Sequence, residues 1–370
     1  LQNFLFYLNQ KRTMSENLFE TLQQMGHEQV VFCSDPQTGL KAIIAVHNTV
    51  LGPALGGTRL WNYATEAEAL TDVLRLSRGM SFKNAIAGLN LGGGKAVIIG
   101  NPRQMPSEAA LRIFGKYIKN LNGKYITAED VGMSTLAMEY IALETKHVAG
   151  MPHSRGGSGD PSPFTALGTY VGIKAAVKKV FGNDSLEGKK IGVQGAGNVG
   201  GHLIGHLAKE GAKIYVTDIF EDRLKNLASK YTIEIVGSEQ IYDLDMDVYS
   251  PCALGATVND ETLNRLKSPI IAGAANNQLA DEQKHGNECI KRGITYVPDF
   301  LINAGGVINI ATEVAGTYNP AWATSKVEAL YYQVEQVIHE AADKQRNAQE
   351  IAMEIATRRI AEIGRMKAIY

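Results

Sequence analysis

The chain lacks most of the features that would place it in a specialised class. Its 370 residues include only 3 cysteines, Cys33, Cys252 and Cys289, odd in number and far apart. That excludes a disulfide framework and a zinc pattern, and it points to a reducing compartment. Charge of one sign is missing too: 37 Lys and Arg against 38 Asp and Glu leave a formal net charge of -1. Nucleic acid and an anionic membrane surface reward a basic excess, so neither is expected as a partner. No stretch approaches the ~18–20 apolar residues that crossing a bilayer takes, and a cytoplasmic protein is expected. The apolar piece Phe4–Leu8 is too short for the core of a signal peptide, and Lys11 and Arg12 follow it instead of preceding it. Residues 1–13 therefore read as an extension ahead of Met14. Repeats and low-complexity tracts are absent as well.

What remains is ordinary globular material, 45% hydrophobic and 20% charged, long enough for two or three domains at roughly 100–200 residues each. Glycine is plentiful, at 38 residues. The β-branched runs Val30–Cys33 and Leu40–Val46 flank Asp35-Pro36-Gln37-Thr38-Gly39 and predict a hairpin. Thr65 with Glu68 predicts a capped helix, continued by Leu70, Val73, Leu74, Leu76 and Met80 at helical spacing. A buried strand fits 96–99, a helix 107–120 and a strand 125–127. In residues 152–163, nine of twelve are Pro, Gly or Ser, the strongest linker signal in the chain. Beyond it strands at 191–194, 213–217, 248–250, 270–273 and 295–297 alternate with helices at 198–209 and 221–230. Such alternation predicts an α/β fold with a parallel sheet covered on both faces. From about Ala323 the chain reads as helical, with a break near Arg346-Asn347.

Two segments carry chemistry. Gly195-Ala196-Gly197-Asn198-Val199-Gly200 is a G-x-G-x-x-G run between a predicted strand and helix, with Asp218 following 23 residues past Gly195 at the end of the next strand. Gly195 permits the turn, Gly197 the approach of a pyrophosphate and Gly200 close packing of helix on strand, while the helix N-terminus favours an anion. Asp218 suits ribose hydroxyls and repels a 2′-phosphate, which predicts NAD. The bland alternative is a glycine turn with no ligand.

The second segment is Arg78-Gly79-Met80-Ser81-Phe82-Lys83-Asn84 followed by Gly92-Gly93-Gly94-Lys95. It is no phosphate loop, because Ala96 stands where Ser or Thr is required. Two lysines beside an apolar strand would depress each other's proton affinity, so that one holds a carboxylate and the other exchanges protons. The alternatives are a surface lysine after a flexible loop for Lys95 and a solvated helix end for Lys83. Asp130, just past a short strand, stands where α/β folds place chemistry.

Taken with Pro53-Ala54-Leu55-Gly56-Gly57-Thr58-Arg59, Thr127-Ala128-Glu129-Asp130-Val131-Gly132, Pro251-Cys252-Ala253-Leu254-Gly255 and Asn303-Ala304-Gly305-Gly306-Val307-Ile308-Asn309, these segments resemble the amino-acid dehydrogenase family of glutamate, leucine, phenylalanine and valine dehydrogenases, in order from about residue 28 to 315. The resemblance implies a mixed-sheet α/β substrate and assembly domain over 14–150, with helices 335–370 packing back onto it. It implies a Rossmann-like, doubly wound NAD domain over 151–334, and a cleft between the two.

By the same resemblance Lys95 and Asp130 would be catalytic and Lys83 would bind the substrate α-carboxylate. Gly56, Gly57 and Met80 would line the site, and Leu55, Ala128, Val307 and Ile310 the side-chain pocket. Thr165, Asn276 and Asn303 would touch nicotinamide or substrate, with Cys252 and Ala253 beside the cofactor along with Gly195, Gly197, Asn198, Val199, Gly200 and Asp218. Leu55 stands where a glutamate enzyme offers a lysine, so a distal carboxylate would be rejected. A branched-chain L-amino acid, leucine first, is the expected substrate, and a homo-oligomer, an octamer by resemblance, the expected assembly. Phenylalanine or valine specificity and a non-catalytic NAD-binding regulator are the alternatives. His202, His206 and Glu210, spaced i, i+4, i+8, lack a full ligand pattern, so no metal is expected. Cys252 reads as an inert thiol, and His47 and His147 have no triad context.

Overall fold

A computed structural model describes residues 18–253, 255–316 and 318–369. The extension expected at 1–13 and Leu254 of the Pro-Cys-Ala-Leu-Gly segment lie outside the described residues. Contacts divide the chain into two units, Leu1–Gly159 with Ile360–Tyr370, and Asp160–Arg359. No helix among the described residues is long and apolar enough to cross a membrane.

The first unit is built on a mixed sheet. After helix α1 (Leu18–Met25), strands β1 (Gln29–Asp35) and β2 (Leu40–Asn48) form the expected antiparallel hairpin, and β2 runs antiparallel to β5 (Gly92–Ile99). The far side of β5 carries two short parallel strands end to end, β3 (Ala54–Leu55) and β4 (Thr58–Trp61), and β6 (Tyr125–Ile126) lies beyond β3. Successive residues of β2 point to opposite faces. Ala42, Ile44 and Val46 join one core with Leu111, Phe114 and Ile118 of helix α3 (Glu108–Asn120) and Met138 and Ile141 of helix α4 (Thr135–Ala142). Ile43 and Ala45 join the other with Leu70, Val73 and Leu74 of helix α2 (Glu66–Ile86). Both faces are covered, which is why β2 reads as an unbroken apolar run. Thr65 caps α2 by accepting from the Glu68 N–H, and the Glu68 carboxylate accepts from the N–H of Ala64.

The second unit holds a wholly parallel sheet. In chain order its strands are β7 (Lys190–Gln194), β8 (Lys213–Thr217), β9 (Glu234–Ile235), β10 (Val248–Pro251), β11 (Ile270–Ile271) and β12 (Thr295–Tyr296), arranged in space β9-β8-β7-β10-β11-β12. This is the doubly wound order, whose direction reverses between β7 and β10. Helix α5 (Ser162–Phe181) precedes it, and α6 (Asn198–Lys209) and α7 (Glu221–Ala228) follow β7 and β8. Further helices α8 (Asp260–Arg265) and α9 (Glu282–Lys291) lead into β11 and β12, and α10 (Asp299–Ile302), α11 (Gly305–Val314), α12 (Pro320–Glu328), α13 (Leu330–Lys344) and α14 (Ala348–Ile369) complete the chain.

Two sequence expectations change here. Pro161, Ser162 and Pro163 open the 20-residue helix α5, because proline is tolerated in a first turn, where its missing N–H has no intrahelical partner. The helices expected to return to the first domain over 335–370 do so only from Ile360. The cause is the apolar face of α13: Leu330 and Val334 pack where Gly168 and Gly172 of α5 leave room. The break between α13 and α14 is Gln345, in the left-handed region at φ 51°.

Against α2 two imidazoles meet, His47 buried and His27 half-buried. His47 Nδ1 lies 2.7 Å from Ser81 Oγ, His27 Nε2 lies 2.9 Å from Ser77 Oγ, and the rings are 4.9 Å apart. Burial is the largest cause holding both near pH 4, and for His27 a charge on His47 adds to it. Unfolded histidine titrates near 6.5. Between those values the unfolded chain binds more protons, so stability is lost as pH falls from about 6.5 through 4. The melting temperature should be lower at pH 5 than at pH 7, and His47→Gln, which keeps an amide for Ser81, should flatten that dependence.

Candidate active site

The site in the first unit begins with three glycines at the start of β5. None has positive φ. Their role is close approach of backbone: a Cβ on Gly93 would lie 2.1 Å from the Ser81 nitrogen of α2, and one on Gly94 would lie 2.7 Å from the Tyr125 ring. The sequence left room for a flexible loop before Lys95; the structure has a paired, buried strand. Alternation along β5 puts Gly93, Lys95 and Val97 on the face that α2 covers. Lys95 and Lys83, a residue of α2, therefore lie on the same side of the sheet.

Between β3 and β4 the chain passes Gly56 and Gly57. A Cβ on Gly56 would lie 1.7 Å from the Gly94 carbonyl oxygen, and one on Gly57 would lie 2.5 Å from that of Glu129. Met80 of α2 reaches the same spot, its Cγ 3.3 Å from where a Gly56 Cβ would stand. Lys83 follows Met80 by three residues and shares its helix face. Leu55 and Ala128 are buried beside this floor, at 1% and 3% exposure. Tyr125 donates from its hydroxyl to the Gly56 carbonyl at 2.7 Å, and the Thr58 and Thr127 hydroxyls bond at 2.6 Å. Strand β6 is continued beyond its end by bonds from the Thr58 N–H to Ala128 O and the Leu60 N–H to Val131 O, which carries Asp130 alongside β4.

Here the charges meet. The Lys95 ammonium, its side chain 8% exposed, lies 2.8 Å from Asp130 Oδ2. The residues alone set Lys95 beside a second lysine and the family resemblance set it with Asp130; the structure pairs it with that carboxylate. Arg59 Nε donates to the same Oδ2 at 3.1 Å, and Arg59 also binds Asp72, which accepts from the Tyr63 hydroxyl. Burial pushes the Asp130 carboxyl up, but Lys95 and Arg59 outweigh it and hold the group at about 2. Arg59, Asp72 and Tyr63 received no role from the sequence. The available signal was a charged residue between Thr58 and Leu60 in a short strand, with partners that come from other segments of the chain.

The second unit holds the dinucleotide turn. Gly195 has φ 114°, and a Cβ there would lie 2.7 Å from Ala253 Cβ. Cys252 and Ala253 follow β10, so the turn sits at the carboxyl ends of β7 and β10, where the strand order reverses and such sheets bind ligands. A Cβ on Gly200 would lie 1.9 Å from Gly195 O. Helix α6 starts at Asn198 and Val199 with no side-chain cap from Gly197, so its first N–H groups are left for an anion. Asp218 is pinned twice, accepting from the Ala196 N–H at 2.6 Å and the Phe220 N–H at 2.9 Å. Burial raises the Cys252 thiol above its usual range.

Thr165 in α5 lies against the start of α11, where a Cβ on Gly306 would stand 2.7 Å from Thr165 Oγ1, and Val307, the next residue, is buried. Asn303 donates to Asn276 Oδ1 at 2.7 Å and to Ala274 O at 3.0 Å, and its own Oδ1 is buried with no hydrogen-bond partner among the described residues. Ile310 is half-buried one turn after Val307. The Glu210 carboxylate of the His202, His206, Glu210 set is occupied by Tyr170 and by Lys174 at 2.8 Å.

A buried lysine paired with a half-buried aspartate on a glycine floor in one unit, and a doubly wound sheet with a dinucleotide turn in the other, define a dehydrogenase acting with a nicotinamide cofactor. A family model for the dimerisation domain of Glu/Leu/Phe/Val dehydrogenases matches residues 27–147, and one for Glutamate/Leucine/Phenylalanine/Valine dehydrogenase matches 156–220 and 216–368. The chain belongs to this family of amino-acid dehydrogenases. It is 54% identical to leucine dehydrogenase of Bacillus subtilis (strain 168) over 87% of this chain and 88% of that one. It is 51% identical to leucine dehydrogenase of Bacillus cereus, over 96% and 97%. The crystal structure of L-tryptophan dehydrogenase from Nostoc punctiforme, 41% identical, superposes with a TM-score of 0.83 over 94% of this chain and 99% of that one.

Gly200→Ala should abolish dinucleotide binding, because helix α6 must retreat from the turn to admit the methyl group. A fluorescence titration with NADH would read that loss, alongside a lowered melting temperature.

Proposed function

We propose that the chain catalyses the reversible oxidative deamination of L-leucine, and less readily of valine and isoleucine, by NAD and water to the 2-oxo acid, ammonium and NADH. The observation that carries the reading is the Lys95–Asp130 pair at 2.8 Å beside the Gly56-Gly57 floor. Identity of 54% and 51% to leucine dehydrogenases supports the choice of substrate. So does buried Leu55, which offers a distal carboxylate no partner at a cost of several kcal/mol. The three aliphatic substrates differ by a methyl or two, about 1–3 kcal/mol each, so preference is graded.

In this reading Lys83 holds the substrate α-carboxylate and Gly56, Gly57 and Met80 shape the floor. Leu55 and Ala128 supply apolar lining in the first unit, and Val307 and Ile310 are the apolar candidates in the second. Nicotinamide, when bound, accepts the α-hydride and leaves the substrate as an imine. Lys95 in its neutral form takes a proton from water as it adds to the imine carbon, gives it to the nitrogen, takes the hydroxyl proton as the C–N bond breaks and the carbonyl forms, and passes that proton to the released ammonia. Asp130 orients Lys95 and works with it in these proton transfers. Gly195, Gly197, Asn198, Val199 and Gly200 suit a pyrophosphate, and Asp218 suits ribose hydroxyls while repelling a 2′-phosphate, which favours NAD over NADP. Asn303 Oδ1 is an unspent acceptor for a carboxamide, with Asn276 and Thr165 nearby and Cys252 and Ala253 beside the turn. The substrate and assembly role falls to the first unit and the dinucleotide role to the second. The match of 27–147 to a dimerisation domain supports a homo-oligomer, expected as an octamer and readable by light scattering. A cytoplasmic enzyme accords with this chemistry.

A panel of L-amino acids assayed with NAD and with NADP tests the reading through NADH absorbance. Leucine with NAD should give the highest kcat/KM, and preference for phenylalanine or glutamate would overturn the substrate. Lys95→Ala should lower kcat by about 10²–10⁴-fold, the usual share of a general acid–base group, with the fold intact by circular dichroism.

A further inference from the structure

The roles above leave the centre of the charged cluster unexplained. Asp130 Oδ2 is shared by two cations, Lys95 at 2.8 Å and Arg59 at 3.1 Å. Arg59 also donates from Nη1 to Asp72 at 3.0 Å, and Asp72 accepts from the Tyr63 hydroxyl at 2.6 Å. The chain Tyr63, Asp72, Arg59, Asp130, Lys95 therefore alternates in charge from Asp72 onward and joins β4, α2, the segment after β6 and β5. Arg59 is a quarter exposed, and both its carboxylates are similarly sheltered. It is thus no solvated surface pair, the kind that contributes little. Its planar fork bridges two carboxylates at once, which the point charge of a lysine does not reproduce.

We propose that Arg59 is a positioning residue for the reaction: it fixes the carboxylate that orients Lys95, and Asp72 with Tyr63 fixes Arg59 in turn. The inference rests on the reading of Lys95 and Asp130 as the reacting pair. The charged and titratable groups facing Asp130 are Lys95 from β5, Arg59 from β4, Tyr125 from β6 and Tyr63 from the turn after β4. Removing Arg59 takes away one of the two cations that hold Asp130 ionised and leaves its burial. Its proton affinity rises, and Asp130 is neutralised at a higher pH than in the unmodified protein. A neutral Asp130 no longer anchors the Lys95 ammonium. Arg59 itself does not touch substrate in this reading, so the loss appears in kcat and in the acid limb of the pH profile more than in KM.

The test is a set of full-length variants, Arg59→Met, Arg59→Lys, Asp72→Asn and Lys95→Ala, each assayed for kcat, KM for leucine and the pH dependence of kcat/KM, with melting temperature as a check on folding. Arg59→Met should lower kcat by about 10²-fold, the scale of a misplaced reacting group, with KM little changed and the acid limb moved to higher pH. Arg59→Lys should recover part of the rate and return the acid limb toward its original position, and Asp72→Asn should lower kcat less than Arg59→Met does. If Arg59→Met retains full kcat and an unmoved acid limb while Lys95→Ala is inactive, the positioning role is overturned and the catalytic pair stands. If Lys95→Ala keeps its turnover, the underlying reading falls first. If Arg59→Met does not fold, Arg59→Lys and Asp72→Asn decide, and unchanged kcat and acid limb in both overturn the proposal.

Discussion

One carboxylate oxygen, held between an ammonium and a guanidinium, is the constraint around which the first unit is arranged. Asp130 is sheltered from water, and a sheltered charge is costly unless matched. Matching it takes side chains from two strands, β4 and β5, so the segments that carry them must approach within hydrogen-bonding distance of Asp130. The approach is closer than ordinary strands allow. Gly56, Gly57, Gly93 and Gly94 make it possible: at each, a Cβ would overlap a neighbouring backbone atom or ring. The glycines that look like a loop are the condition for a rigid cluster.

In the second unit the equivalent constraint is the reversal of strand order between β7 and β10. Two crossovers leaving in opposite directions open a crevice at the carboxyl ends of these strands, and the turn at Gly195 lies against Ala253 there. Asp218 belongs to this arrangement in two ways. It is the residue proposed to meet a ribose, and its carboxylate already ties the glycine turn to the end of β8 by accepting from Ala196 and Phe220. A residue read as a ligand contact is also part of the scaffold that shapes the turn.

Local signals located many elements well. Helix Asn198–Lys209 and strand Lys213–Thr217 were legible to the residue, because the period changes sharply at glycine turns on either side. The capped start of α2 was legible because Thr65 and Glu68 satisfy backbone N–H groups locally. What escaped was structure made by partners distant in the chain. Strands β3 and β4, of two and four residues, have no pattern of their own and exist because β5 offers them hydrogen bonds. Helix α5 was hidden by prolines that signal a loop in isolation and a first turn when a helix follows. The extent to which the terminal helices return to the first unit depends on whether α13 finds the glycine-lined face of α5, which no periodicity in α13 reveals.

The sequence by itself determined the dinucleotide turn, the segments holding Lys83, Lys95 and Asp130, and the family, since each rests on residue types at short, ordered spacings. Only the tertiary structure decided what those charges face. Lys95 meets Asp130, 35 positions away in the chain, and Arg59 closes on that same oxygen while holding Asp72. The physical reason is that ion pairing depends on distance in space, and that distance is set by how closely β3, β4, β5 and α2 pack, a property of the whole sheet and of no single segment.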